Sequence, residues 1–67
     1  MIEVSINGET RQIESGLTVA QLLDEIGVKA ETVVVERNST LVTRDHFGSE
    51  TVGDGDRLEL VRIVGGG

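Results

Sequence analysis

The chain has 67 residues, no cysteine, one aromatic residue and a net charge of −6 at pH 7. This length allows a single domain, and the lack of cysteine excludes a disulfide framework and a cysteine-based metal site. The acidic balance disfavours nucleic acid and anionic membranes as partners. The acidic charge favours a partner with a basic docking surface. The alternative is that the charge only maintains solubility.

The N-terminal residues indicate a β-hairpin. Residues 2–6 alternate apolar and polar side chains, which is typical of a half-buried strand. Asn7-Gly8 follows, and both residue types tolerate the positive φ angles of a type I′ turn. We therefore expect the chain to return as a second strand over 10–14, with Ile13 facing inward.

A helix is predicted over 18–26. Thr18 is a good N-cap, and Gln21 three residues later completes a capping box. Gly27 stands where a left-handed C-cap belongs. Apolar side chains recur at helical spacing and form one stripe: Val19, Leu22, Leu23 and Ile26.

The second half of the chain contains three further predicted strands, at 32–36, 40–42 and 57–63. The first is β-branched throughout its centre, which predicts a buried central strand. One helical turn is expected over 44–47 and a tight turn over 53–56. The predicted order is strand, strand, helix, strand, strand, strand, and the economical arrangement is one helix packed on one face of a mixed sheet.

The core is expected to be aliphatic. The side chains that we expect to be buried include Leu22, Leu23, Val34 and Leu60. In the last strand, Leu58 and Leu60 face one side, and Val61 and Ile63 face the other. The second pair is predicted to form a docking patch on the open face of the sheet, although scattered surface apolarity would give the same pattern.

The whole chain resembles the ThiS/MoaD-type sulfur carriers, which are prokaryotic relatives of ubiquitin. The resemblance is carried by the Asn7-Gly8 hairpin, the helix opening at 17–23, the stretch 42–47, and 54–56 followed by a strand that leads into terminal glycines. It implies an α+β fold of the β-grasp type, with four or five strands and with the first and last strands parallel at the centre. The domain would span 1–64 and a flexible glycine tail 65–67.

The resemblance also implies a function and a set of partners. An E1-like enzyme would adenylate the carboxylate of Gly67, which follows Gly66, using Mg-ATP. A sulfur donor protein would then form a thiocarboxylate, and a sulfur-accepting synthase would receive the sulfur for thiamine thiazole, molybdopterin or tRNA thiolation. The expected partner-binding residues are Val61, Ile63, Val64 and Gly65. The chain would be a monomeric cytoplasmic co-substrate that is not an enzyme and binds no cofactor or metal.

Physical chemistry supports a role for the terminal glycines. Without Cβ atoms, they could thread a narrow channel and lie close to a nucleotide, whereas three glycines at a chain end cannot stabilise a fold. A frayed terminus is the competing interpretation.

Two other functions stay open: a protein modifier joined to lysines through Gly67, and an interaction module with an inert tail. Asp54 and Asp56 are better explained by a tight turn than by a cation site. His46 is better explained as a loop residue than as a metal ligand.

Overall fold

The computed structural model describes residues 1–63. These residues form a five-stranded sheet and one α-helix. The strands are β1 (Ile2–Ile6), β2 (Glu9–Ile13), β3 (Val33–Arg37), β4 (Thr40–Val42) and β5 (Arg57–Arg62), and the helix is α1 (Val19–Ile26). Two 3₁₀ turns connect them, at Ala30–Thr32 and Arg44–His46.

Local chemistry explains where the hairpin turns and where the helix begins and ends. Asn7 and Gly8 both have positive φ angles, of 50° and 84°, as the type I′ turn requires. Thr18 Oγ1 accepts a hydrogen bond from the backbone N–H of Gln21, and the Gln21 side chain accepts one from the N–H of Thr18. The helix ends at Gly27, whose φ of 77° is left-handed. The predicted hairpin and capping box are confirmed.

The sheet has the strand order β2-β1-β5-β3-β4. Strands β1 and β5 are parallel, and all other neighbours are antiparallel. The backbone N–H of Ser5 donates to Asp56 O at 3.0 Å and that of Asn7 to Leu58 O at 2.9 Å. The first and last strands therefore lie side by side at the centre, as the resemblance implied.

The core lies between α1 and one face of the sheet. Leu22 and Leu23 of the helix are buried, as predicted. Leu60 was also predicted to be buried, but it is only half-buried against the same cluster. The buried apolar side chains are Val4, Ile6, Ile13, Val19, Leu22, Leu23, Val33, Val35, Val42, Phe47, Val52 and Leu58. Burial of these side chains against one another is what stabilises the domain.

The prediction that Val34 is buried is wrong: its side chain is 36% exposed. Strand β3 has only one face against the helix, so Val33 and Val35 point inward and Val34 points away. Three consecutive valines hid this alternation in the sequence. The start of the strand also differs, because Thr32 closes the preceding 3₁₀ turn with a hydrogen bond from its N–H to Lys29 O.

Within residues 1–63 no helix is both long and apolar enough to cross a membrane.

Candidate functional site

The predicted site begins at the end of β5, the central strand of the sheet. The ladder with β3 continues one residue past the strand, since the N–H of Ile63 donates to Thr32 O at 2.8 Å. The predicted reactive residues Gly66 and Gly67, and the predicted docking residues Val64 and Gly65, lie outside the described residues. Val61 and Ile63 are described, and both side chains are exposed on the side of β5 opposite Leu58, as predicted.

The side chain of Asn7 holds β5 where the backbone of β1 ends. Its Oδ1 accepts a hydrogen bond from the N–H of Leu60 at 2.8 Å, and its Nδ2 donates to Leu60 O at 3.2 Å. The carboxamide thus replaces the missing β1 backbone along the half of β5 that leads to the C-terminus. This second role of the hairpin residue was not predicted.

Asn38 holds the opposite end of β5 in a similar way. Its backbone N–H donates to Arg57 O at 2.7 Å, and its Oδ1 accepts from the N–H of Arg57 at 2.9 Å. Its Nδ2 also donates to Asp56 Oδ1 at 3.0 Å. Like Asn7, Asn38 follows a strand and has a positive φ, of 52°. The two asparagines together fix the path of the central strand.

Asp56 is the buried polar residue at the start of β5. Its Oδ2 accepts from Arg37 Nε at 2.6 Å and from the N–H of Gly53 at 2.7 Å. Burial disfavours the ionised carboxylate, but the hydrogen bonds from Gly53, Arg37 and Asn38, with the Arg37 charge, lower the pKa of Asp56 overall. The same carboxylate raises the pKa of Arg37. This network is structural and closes the turn at 53–56.

The other aspartate of the turn and the lone histidine also make local contacts. Asp54 Oδ1 accepts from the N–H of Glu3 at 2.8 Å. His46 is exposed, and its Nδ1 lies 2.8 Å from Thr43 Oγ1. The part of the chain that the structure describes holds no group of three or more metal-ligating side chains.

The open face of the sheet carries an apolar surface formed by Val34, Leu41, Val61 and Ile63, here called the open-face patch. The exposed fractions of the last three side chains are 57%, 56% and 48%. The strand register places Val34 opposite Val61, and Leu41 opposite Glu36. The other half of the same face, on β1 and β2, is polar, with Ser5 opposite Thr10 and Glu3 opposite Gln12.

Two members of the open-face patch, Val34 and Leu41, were missed in the sequence. Strict alternation starting from a buried Val35 would have placed Val34 outward. Leu41 gives a weaker signal because β4 has only three residues. The structure joins these residues to the predicted pair Val61 and Ile63 beside the C-terminal end of β5.

The described chain is a β-grasp domain, in which one helix crosses a mixed sheet whose central strands come from the two ends of the chain. It superimposes with a TM-score of 0.86 on the crystal structure of the thiamine biosynthesis protein (ThiS) from Geobacter metallireducens. That protein is 35% identical, and the match covers 98% of this chain and 100% of the other.

The chain belongs to the ThiS family, whose sequence model matches residues 4–67. The sulfur carrier protein ThiS of Thermus thermophilus is 34% identical over 64 residues, which are 96% of this chain and 98% of that protein. A thiazole synthase of Paramagnetospirillum magneticum is 42% identical over 66 residues, which are 98% of this chain and 20% of the synthase. The chain thus spans about a fifth of the length of the thiazole synthases that it matches.

Proposed function

We propose that this chain is a sulfur carrier for the synthesis of the thiamine thiazole, and that its reactive group is the C-terminal carboxylate of Gly67. The observation that carries the proposal is the family match over residues 4–67, which continues through the terminal glycines. The full-length likeness to a protein named as a sulfur carrier supports it. The chain itself is a co-substrate and not the catalyst.

The chemistry needs an activating enzyme. An α-carboxylate has a pKa of about 3.5, so it is ionised at neutral pH and is a poor electrophile. An E1-like enzyme would catalyse attack of a carboxylate oxygen on the α-phosphorus of Mg-ATP, with pyrophosphate as the leaving group. The terminal sulfur of a donor-protein persulfide would then attack the carbonyl carbon, and AMP would leave to give an acyl disulfide. A second thiol would cleave the S–S bond of that acyl disulfide, releasing the thiocarboxylate and leaving a disulfide on the donor side.

The position of β5 suits this use of the terminus. The strand pairs with β3 as far as Arg62, and on its other edge the Asn7 side chain binds Leu60 beyond the end of β1. These contacts hold the C-terminal end of β5 in place. Four residues in extended conformation span up to about 14 Å. A tail of that reach could place the Gly67 carboxylate in a deep active site while the open-face patch contacts the surface around it.

The proposed acceptor is a thiazole synthase. A similar segment forms part of a longer relative named thiazole synthase, which favours a close working relation between the two kinds of domain. Molybdopterin synthesis and tRNA thiolation have no comparable support. Transfer would form a bond from the thiocarboxylate sulfur to the thiazole precursor and break the bond from that sulfur to the Gly67 carbonyl carbon. An oxygen atom from the precursor or from water would restore the Gly67 carboxylate.

Removal of Gly66 and Gly67 tests the proposal. The truncated protein should melt at the same temperature as the full chain, since terminal glycines bury no side-chain area. It should support no ATP–pyrophosphate exchange with the E1-like enzyme of its host, because its carboxylate is displaced by about 7 Å. As a control, Thr10→Ala shortens an exposed side chain on the polar half of the sheet, away from the C-terminus, and should retain exchange.

Exchange at the full rate by the truncated protein would overturn the proposal. The intact mass of protein purified from its host gives a second test, because a sulfur carrier should show the gain expected when sulfur replaces one oxygen. Conjugates on a denaturing gel without that mass change would instead support a protein modifier.

A further inference from the structure

Two carboxylates face each other on the open face of the sheet. Glu36 of β3 lies directly opposite Glu59 of β5 in the strand register. Side chains at such positions have Cβ atoms about 4.5–5.5 Å apart, and like charges there are destabilising. The Val34–Val61 pair lies next to them along both strands, and Leu41 lies on the other side of Glu36. The charged pair is therefore bordered by the open-face patch on two sides.

No ion pair offsets this repulsion within residues 1–63. No lysine, arginine or histidine nitrogen of that part of the chain lies within 4.0 Å of either carboxylate, and the ion pairs found there involve other acids. Arg37 points to the helix side of the sheet, where it binds Asp56 and Glu50. Arg57 shares the face of Glu59, with its Cα about 7 Å along the strand, but it is not among the ion pairs of this part of the chain.

We propose that the open-face patch binds the activating enzyme through an apolar surface that carries one arginine or lysine, whose cation lies between Glu36 and Glu59. The inference rests on the proposed function and adds the chemistry of the partner surface. A cation at this position would contact both carboxylates and remove their mutual repulsion. An arginine guanidinium suits it well because its five N–H donors can serve two acceptors.

The apolar surroundings make the charge contact selective. When Val34, Leu41 and Val61 are covered, water leaves and the interaction between a cation and the two carboxylates strengthens. A partner with an apolar surface and no cation would instead bury two like charges without compensation, which costs several kcal/mol. The Glu36–Glu59 pair therefore favours binding of a partner surface that carries a basic residue over binding of a purely apolar surface.

The test replaces both glutamates, as Glu36→Gln with Glu59→Gln, in the full chain. A matched control, Asp24→Asn with Glu25→Gln, changes the net charge equally on the exposed side of α1. ATP–pyrophosphate exchange is measured against carrier concentration at low and high salt. The glutamate variant should raise the KM for the carrier by about tenfold or more, which equals about 1.4 kcal/mol, with kcat unchanged. Its KM should also depend less on salt than that of the control.

The outcomes distinguish failure of the cation contact from failure of the proposed function. If the unmodified chain supports exchange and the glutamate variant has the same KM as the control, the cation contact is refuted and the sulfur carrier stands. If the unmodified chain supports no exchange, both proposals are overturned. A thermal melt completes the test: the glutamate variant should be at least as stable as the unmodified chain, and a lower melting temperature would show that the carboxylates serve the fold instead.

Discussion

The carboxamide of Asn7 binds both backbone polar groups of Leu60, accepting from the N–H at 2.8 Å and donating to the carbonyl at 3.2 Å. One side chain thus performs the hydrogen bonding of a strand neighbour. Because Leu60 lies two residues before the end of β5, Asn7 and strand β3 together hold the C-terminal end of β5.

Replacing Asn7 by glycine should remove its hydrogen bonds to Leu60 without disrupting the hairpin turn that Asn7 also forms. Glycine accepts the left-handed conformation, so the hairpin should persist. The loss of two hydrogen bonds should lower the free energy of unfolding by about 1–2 kcal/mol. Hydrogen exchange gives the local measurement: the Leu60 amide should lose protection relative to the Ile63 amide, which donates to Thr32 O on the opposite edge. Equal protection of both amides in the variant would contradict the assignment.

Leu22→Ala should destabilise the domain by about 2–5 kcal/mol, since Leu22 is buried against the sheet. In a domain with only a few kcal/mol to spare, this change could unfold much of the protein at room temperature. Leu41→Ala is the matched control, because the same atoms are removed from an exposed side chain. Urea denaturation should show a small effect for Leu41 and a large one for Leu22. Similar effects at both positions would refute the proposed core.

The Asp56 network should make stability depend on pH in the acid range. The pKa of Asp56 is lowered in the folded state, so the unfolded chain binds the proton first, near its ordinary pKa of about 3.9. The stabilisation is therefore fully present above about pH 5 and is lost as the pH falls through the folded pKa. Asp56→Asn should be less stable at neutral pH by about 1–3 kcal/mol.

The difference between Asp56→Asn and the unmodified chain should shrink steadily as the pH is lowered from 5 to 2.5 in a series of thermal melts. A constant difference across that series would show that the carboxylate charge contributes nothing. Asp54→Asn is the comparison at the same turn, where a single hydrogen bond from the N–H of Glu3 is involved.

Docking through the open-face patch can be tested with a single charge. Val61→Asp or Ile63→Asp should leave the melting temperature nearly unchanged, because both side chains are already exposed. Either change should weaken binding to the activating enzyme, since an isolated charge is costly at an interface core. Thr10→Asp adds the same charge to the polar half of the sheet and should bind normally. Titration calorimetry of the three variants with the activating enzyme would show whether the enzyme binds the apolar half of the open sheet face and not the polar half.

Local signals in the sequence predicted most of the fold. Asn7-Gly8, the Thr18 capping box and Gly27 act through neighbouring residues, and all are found where expected. The position of Val34 could not be read from three consecutive valines, because the face of a strand depends on what packs against it. The roles of Asn38 and Asp56 were missed for a related reason: their partners are 18 or 19 residues away in sequence.

In the candidate site too, features set by neighbouring residues could be predicted from the sequence, and features set by contacts between strands could not. The outward direction of Val61 and Ile63 followed from alternation in a strand of clear pattern. The place of Leu41 in the patch depends on the β3–β4 register, and the pairing of Glu36 with Glu59 depends on the β3–β5 register. Both registers are set only when the sheet assembles.

The central position of β5 has a consequence for biosynthesis of the chain. On one side of it lies the β1–β2 hairpin and on the other the β3–β4 hairpin, and β5 joins the two into one sheet. A nascent chain that has not yet exposed residues 57–62 outside the ribosome has two separate hairpins, each of which is only marginally stable in water. We therefore expect stable folding to require the last strand, and a copy that stops before it should be degraded by cellular proteases. Any folded copy has consequently been translated at least as far as the strand that leads to the terminal glycines.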